Sequence, residues 1–197
     1  HPAVLVNGNQ PNIGKTLLIR LMGAVHEGKD LQTLSYDKNG AELEKNIASR
    51  VKRQNIILID NVRTAGNNTI DSAELERCLT DWMLSFRKRG FNKLIERAND
   101  LMFAITVNHA KATLDLITRC ISINLEVNGD PLAINFKTPH VFDFALNHRC
   151  EILAELAGMV EAWKEAGMPE TDDKSRFNIS GWAPKIGGIL QVNGING

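Results

Sequence analysis

Asn7-Gly8-Asn9-Gln10-Pro11-Asn12-Ile13-Gly14-Lys15-Thr16 lies between the apolar run Ala3-Val4-Leu5-Val6 and the helix-forming stretch Leu17-Leu18-Ile19-Arg20-Leu21. A strand, a small-residue loop closed by Gly-Lys-Thr, and a helix together make a cradle for phosphate. Backbone N–H groups and the helix N-terminus face the polyphosphate. The Lys15 ammonium then sits at the β and γ oxygens, and the Thr16 hydroxyl can ligate Mg²⁺. Gly8, Asn9, Asn12, Ile13, Gly14 and Leu17 complete the cradle. The usual spacing sets a glycine five residues before Gly14, where Asn9 stands, and Gly8 comes one position early. Asn tolerates left-handed backbone better than most residues with a side chain, so Asn9 is expected to substitute for that glycine. Pro11 restrains the loop further, because it fixes its own φ and donates no N–H.

Downstream, Asn55-Ile56-Ile57-Leu58-Ile59-Asp60-Asn61 is an unbroken apolar strand ending in a carboxylate. Continuous apolar character marks a strand covered on both faces by helices. Asp60 then lies at the mouth of the sheet beside the phosphate loop, where it can hold Mg²⁺ through water. The two motifs together predict a chain that binds and hydrolyses a nucleoside triphosphate.

At 197 residues and 43% apolar, the chain can bury one α/β core with a small helical appendage. With 23 acidic and 23 basic side chains its formal charge is zero, which excludes a broadly cationic nucleic-acid binder but not a local basic patch. Cys78, Cys120 and Cys150 are widely separated and read as reduced thiols of a cytoplasmic protein, not as a zinc or disulfide framework. Neither a signal peptide nor an apolar run near about eighteen residues is present in this stretch, so no membrane partner is expected. His1-Pro2 leads straight into the first strand and the tail Gln191-Val192-Asn193-Gly194-Ile195-Asn196-Gly197 stops in a Gly/Asn turn, so both ends read as cuts through a longer chain.

The remaining segments alternate. Residues 16–27 read as a helix, Thr33–Tyr36 as a short strand, and 40–47 as a helix. The pattern from Asp71 to Phe86 predicts one helix with Trp82 and Met83 on its apolar side. Leu101 to Asn108 and Cys120 to Leu125 read as strands with a short helix over 112–117 between them. From Phe142 to Gly167 a helix carries a tight apolar stripe, and another follows over 179–190. Strand–helix alternation predicts an α/β three-layer sandwich with a central parallel sheet. The division expected is 1–139 for the nucleotide-binding core and 140–197 for a helical lid.

Further candidates lie outside the two motifs. Asn108 closes the third strand, where an amide can touch the γ-phosphate or orient water, or simply make a turn. Asn61 can hydrogen-bond the attacking water but cannot accept its proton. Slow turnover, a carboxylate from elsewhere (Asp71 and Glu74 are near in sequence), or catalysis by positioning and charge remain open. Arg119 precedes the fourth strand and is suited either to a neighbouring subunit's γ-phosphate or to capping its own helix. Arg149 is a candidate for a contact to phosphates within the same subunit. Arg87-Lys88-Arg89-Gly90-Phe91-Asn92-Lys93 concentrates basic charge; it is either a solvated loop or a contact to single-stranded nucleic acid, with Phe91 stacking on a base.

Gly-Lys-Thr, the strand with Asp60, the strand-end Asn108, Arg119 and a following helical region, in that order, resemble the AAA+ ATPases. Ile57-Leu58-Ile59-Asp60-Asn61-Val62, Thr106-Val107-Asn108-His109, Leu116–Ile123 and Ser180–Leu190 are most similar to the ATPase domains of primase–helicase and replication proteins of phages, plasmids and genomic islands. The resemblance implies a P-loop NTPase fold using ATP and Mg²⁺. Lys15 and Thr16 would bind phosphate and metal, Asp60 the metal, Asn108 the γ-phosphate, and Arg119 would act across a subunit interface. It also implies a homo-oligomer, commonly a hexameric ring, working on single-stranded or forked DNA with a fused or partner primase. His109 departs from family members that carry a second asparagine there. An ATP-controlled loader, a small-molecule kinase and a nucleotide-binding module with weak catalysis share the same fold and stay open beside the motor.

Overall fold

A computed structural model of the chain describes residues 2–62, 69–87, 94–107, 111–133, 138, 140–172 and 181–195. In chain order the elements are β1 (Ala3–Gly8), α1 (Lys15–Glu27), β2 (Thr33–Ser35), α2 (Gly40–Arg50), β3 (Ile56–Val62), β4 (Thr69–Ile70), α3 (Ala73–Thr80) and β5 (Met83–Arg87). They continue with β6 (Leu94–Ala98), β7 (Met102–Val107), β8 (Lys111–Ala112), α4 (Leu114–Ile117), β9 (Cys120–Leu125), α5 (Val141–Asn147), α6 (Arg149–Glu165) and α7 (Trp182–Val192).

Five strands form one parallel sheet in the order β2-β3-β7-β1-β9. The central strands β1, β3 and β7 are almost wholly buried, as their continuous apolar sequences require. On one face α1 lays Ile19 against Val4, Val6, Leu58 and Ala104. On the other, Leu43 and Ile47 of α2 and Leu75 and Cys78 of α3 meet Leu5, Ile57, Ile59, Phe103 and Ile105. The result is a three-layer α/β sandwich with a helical region, matching a P-loop NTPase of AAA+-like form. Cys78 and Cys120 are buried in this core, and burial pushes both thiols up to about 12. Among the described residues no helix is long and apolar enough to cross a membrane.

The single helix expected over Asp71–Phe86 is two elements. Ser72 caps α3 by accepting from the Leu75 N–H, and the helix stops at Asp81, whose backbone is extended. Met83–Arg87 then pairs antiparallel with Leu94–Ala98, Met83 opposite Ala98 and Arg87 opposite Leu94. Leu84 and Phe86 are buried against α2 and α3 while Trp82 is 82% exposed. The period-two pattern of a hairpin therefore overrides the helical spacing, because pairing to a distant strand satisfies backbone groups that a longer helix would satisfy locally.

The stripe beyond residue 140 is also broken, into α5 and α6 at His148, whose ring stacks on Phe144 with centroids 4.0 Å apart. Trp163 Nε1 donates to the Pro169 carbonyl at 2.8 Å, and a Cβ on Gly188 would meet that same oxygen at 1.9 Å. Gly188 is thus a packing glycine, which lets α7 close on the turn after α6.

Candidate nucleotide site

The phosphate loop leaves the C-terminal end of β1 and returns as α1. Gly14 takes a left-handed backbone (φ 91°) at the α1 N-cap, and no side chain caps the helix. The first N–H groups of α1 are therefore left for a ligand, with the positive end of the helix dipole behind them. Asn12 also has positive φ (60°), whereas Asn9 does not. The expectation that Asn9 replaces glycine by adopting left-handed backbone is thus corrected, and that strain falls on Asn12. Gly8 has a reason of its own: a Cβ there would meet Ile13 Cδ1 at 2.3 Å and Lys15 Nζ at 3.0 Å. Its missing side chain makes room for the lysine.

Lys15 is buried, and its ammonium donates to the Gln10 carbonyl across the loop at 2.9 Å. Burial lowers its pKa below the usual lysine value, and the nearby Asp60 carboxylate opposes the shift. A polyanion placed here would favour the charged form.

Insertion of β7 between β1 and β3 brings the loop and the strand-end carboxylate together. Val6 lies beside Thr106, and β3 carries a register irregularity between Ile59 and Val62 at Asp60. Thr16 Oγ1 donates to Asp60 Oδ1 at 2.7 Å, and Thr106 Oγ1 donates to the same oxygen at 2.6 Å. These residues line a cavity of about 480 Å³ with Pro11, Ile13, Leu17 and Arg20. Thr16 and Asp60 offer oxygen donors only, which suits a hard cation. Mg²⁺ in phosphoryl-transfer sites is held through one or two carboxylates plus substrate phosphates. Among the described residues no group of three or more His, Cys, Asp or Glu is gathered for a metal.

Thr106 was not anticipated from sequence. Its signal is a hydroxyl interrupting the apolar run 101–107. Arg20 was missed too. It sits one turn after Thr16, pairs with Asp30 at 2.5 Å, and lies over the Phe142 ring with 5.1 Å to its centroid.

Other candidates stand apart from the cavity. Arg149 donates to the carbonyls of Val25 (2.8 Å) and His26 (3.1 Å) at the C-terminal end of α1. With 13 residues in α1, that end is on the order of 18 Å from the loop, so Arg149 does not reach phosphates held there. It instead closes unpaired helix carbonyls, where a cation is favoured. Arg119 lies at the N-terminal edge of the sheet, where its carbonyl accepts from Ala3 N–H at 2.9 Å. It is roughly 16 Å along β1 from its own loop. Its Nη1 donates to the Glu76 carbonyl at 3.4 Å, and among the described residues its buried Nε has no hydrogen-bond partner. Glu74 does not serve the cavity: its carboxylate abuts Gly40, where a Cβ would meet its Cδ at 2.0 Å. Asp71 contributes its carbonyl to the Tyr36 hydroxyl at 3.1 Å. Asn108, His109, Lys88, Arg89, Phe91 and Lys93 lie outside the described residues, as do the side chains of Asn61 and Arg87.

No protein-family model and no curated protein matches the chain. Among solved structures it matches the A form apo structure of the NrS-1 C-terminal region, with TM-score 0.51 and 17% identity over 75% of this chain. A second structure of that region gives TM-score 0.44 at 17% identity. The chain spans about a third of the matched region, 34% of its length. At this identity the likeness is one of fold alone: a parallel sheet between helical layers.

Proposed function

We propose that the chain is the ATP-hydrolysing core of an oligomeric motor that unwinds or translocates along DNA, in replication of a phage or other mobile element. The observation that supports this most is the convergence of Thr16 and Thr106 hydroxyls on one oxygen of Asp60, beside the buried Lys15 and the uncapped N-terminus of α1. In this reading the α1 N–H groups and Lys15 hold the β and γ phosphates of ATP. Thr16 and Asp60 would hold Mg²⁺, which when bound neutralises charge on the transferring phosphoryl group. Thr106 keeps Asp60 aimed. Asn61 hydrogen-bonds the attacking water without taking its proton, so the rate rests on positioning and charge. Asn108 touches the γ-phosphate, and Arg119 reaches the site of a neighbouring subunit. Its distance from its own loop favours that role over one within the subunit. Arg87, which ends β5, and Lys88, Arg89, Phe91 and Lys93, which follow it in sequence, contact single-stranded DNA through phosphates and stacking in this reading. Residues 140–197 form the lid over the 1–139 core.

The test is ATP turnover across a range of protein concentrations, with and without single-stranded DNA, beside a Lys15→Ala control. The motor reading expects turnover rising more steeply than protein concentration, stimulated by DNA and absent in the control. Turnover proportional to protein and indifferent to DNA would remove the motor and leave a self-contained kinase or regulator.

A further inference from the structure

The position that usually carries glycine at the head of such a loop is occupied by Asn9, and both the oxygen and the nitrogen of its side-chain amide are hydrogen-bonded. The β1·β9 ladder runs from Ala3 beside Cys120 to Gly8 beside Leu125. Asn9 continues it with one main-chain bond, its N–H donating to the Leu125 carbonyl at 3.3 Å. In a parallel ladder a residue's N–H and C=O bond to neighbours two apart, so the Asn9 carbonyl would next take the Val127 N–H. Its side chain does this instead: the Val127 N–H donates to Asn9 Oδ1 at 3.1 Å, and Asn9 Nδ2 donates back to the Val127 carbonyl at 3.0 Å. The main chain is thereby released to turn into the loop while the strand pairing is kept by the amide. Glycine has no group to do this.

Gln10 repeats the device. Its Nε2 donates to the carbonyls of Val127 (2.8 Å) and Gly129 (3.1 Å). Its own carbonyl is the acceptor on which the Lys15 ammonium rests, at 2.9 Å. The head of the loop, the lysine and the segment leaving β9 are thus joined through two neighbouring side-chain amides. That segment continues toward α5 and the helical region.

We propose that Asn9 and Gln10 are positioning residues that clamp the phosphate loop to residues 127–129, holding Lys15 in place before nucleotide arrives and coupling nucleotide binding to the strand exit. The proposal rests on the nucleotide-binding reading above. A preorganised loop binds without the cost of ordering it. By linkage, nucleotide in the loop must in turn tighten the clamp.

Two measurements on the full chain test this: ATP affinity in the presence of Mg²⁺, and amide hydrogen exchange at Val127. In the wild type, ATP is expected to bind and to slow Val127 exchange further. Asn9→Gly, which installs the usual glycine, is expected to speed Val127 exchange and weaken ATP by about tenfold, the scale of one or two net hydrogen bonds. Its thermal midpoint should fall by no more than roughly 2–4 °C, leaving the chain folded for the titration. Gln10→Ala is expected to weaken ATP without removing Val127 protection, since the Val127 N–H bonds to Asn9. Equal ATP affinity and equal Val127 exchange in Asn9→Gly and wild type would overturn the clamp alone. A wild type that binds no ATP would overturn the nucleotide reading, and the positioning role with it.

Discussion

Asp60 is held by hydroxyls, with no ion pair to it among the described residues. Two hydroxyls, from α1 and from β7, donate to the same Oδ1 at 2.7 and 2.6 Å. Each hydroxyl has one proton to give, so Thr16 spends its donor on Asp60 and keeps its lone pairs, as the proposed cation role requires. Thr106 is only 1% exposed and has no contact with bulk water to replace this partner. Thr106→Val keeps the shape and removes the hydroxyl. Hydrogen bonds to charged groups are worth roughly 1.5–3 kcal/mol, so kcat/KM for ATP should fall by about tenfold or more. Steady-state kinetics of the variant checks this, and unchanged kinetics would show that Asp60 needs only Thr16.

At the scale of elements, α1 is occupied at one end by the cradle and at the other by Arg149. The N-terminal end is left uncapped at Gly14, while the C-terminal carbonyls of Val25 and His26 are closed by a guanidinium from α6. Arg149→Ala should therefore loosen the helical region from α1 rather than weaken the nucleotide. A loss of about 1 kcal/mol is expected for charge-assisted bonds at a helix end, shifting the thermal midpoint by roughly 2–4 °C in a chain of this size. Differential scanning calorimetry and ATP titration of the same variant separate the two roles. A tenfold loss of ATP affinity at unchanged midpoint would restore Arg149 to the phosphates. The β5–β6 pair belongs to this scale too: buried Leu84 and Phe86 anchor β5 against α2 and α3.

For the whole molecule, the parallel sheet has two chemically distinct edges. The C-terminal ends of β1, β3 and β7 carry the cradle and Asp60, whereas Arg119 opens β9 at the opposite edge. The chain therefore does not bring its own Arg119 to its own loop; in the oligomer proposed above, a neighbouring copy would supply it. Mixing Arg119→Ala with Lys15→Ala subunits tests this. Each variant alone should lose turnover, by on the order of 10³-fold for a transferred guanidinium. The mixture should regain part of it, because one subunit supplies the loop and the other the arginine. No recovery on mixing would assign Arg119 to its Glu76 contact alone.

What sequence alone determined was local or periodic. Gly-Lys-Thr after an apolar run pointed to the phosphate loop, and the apolar runs 56–59 and 101–105 named central strands, because burial on both faces leaves no room for polar alternation. The three-layer fold followed from their alternation with helices. Tertiary structure decided what depends on partners distant in the chain. Met83–Arg87 became a strand because Leu94–Ala98 pairs with it, which no helical period within 71–86 could announce. Thr106 reached Asp60 only because β7 inserts between β1 and β3, and Arg149 met the far end of α1 only because α6 folds back on it. Asn9 looked like a flawed glycine until the sheet order set β9 beside β1 and gave its amide Val127 to hold. A residue's own chemistry says which bonds it can make; the topology says which groups come within about 3 Å of it.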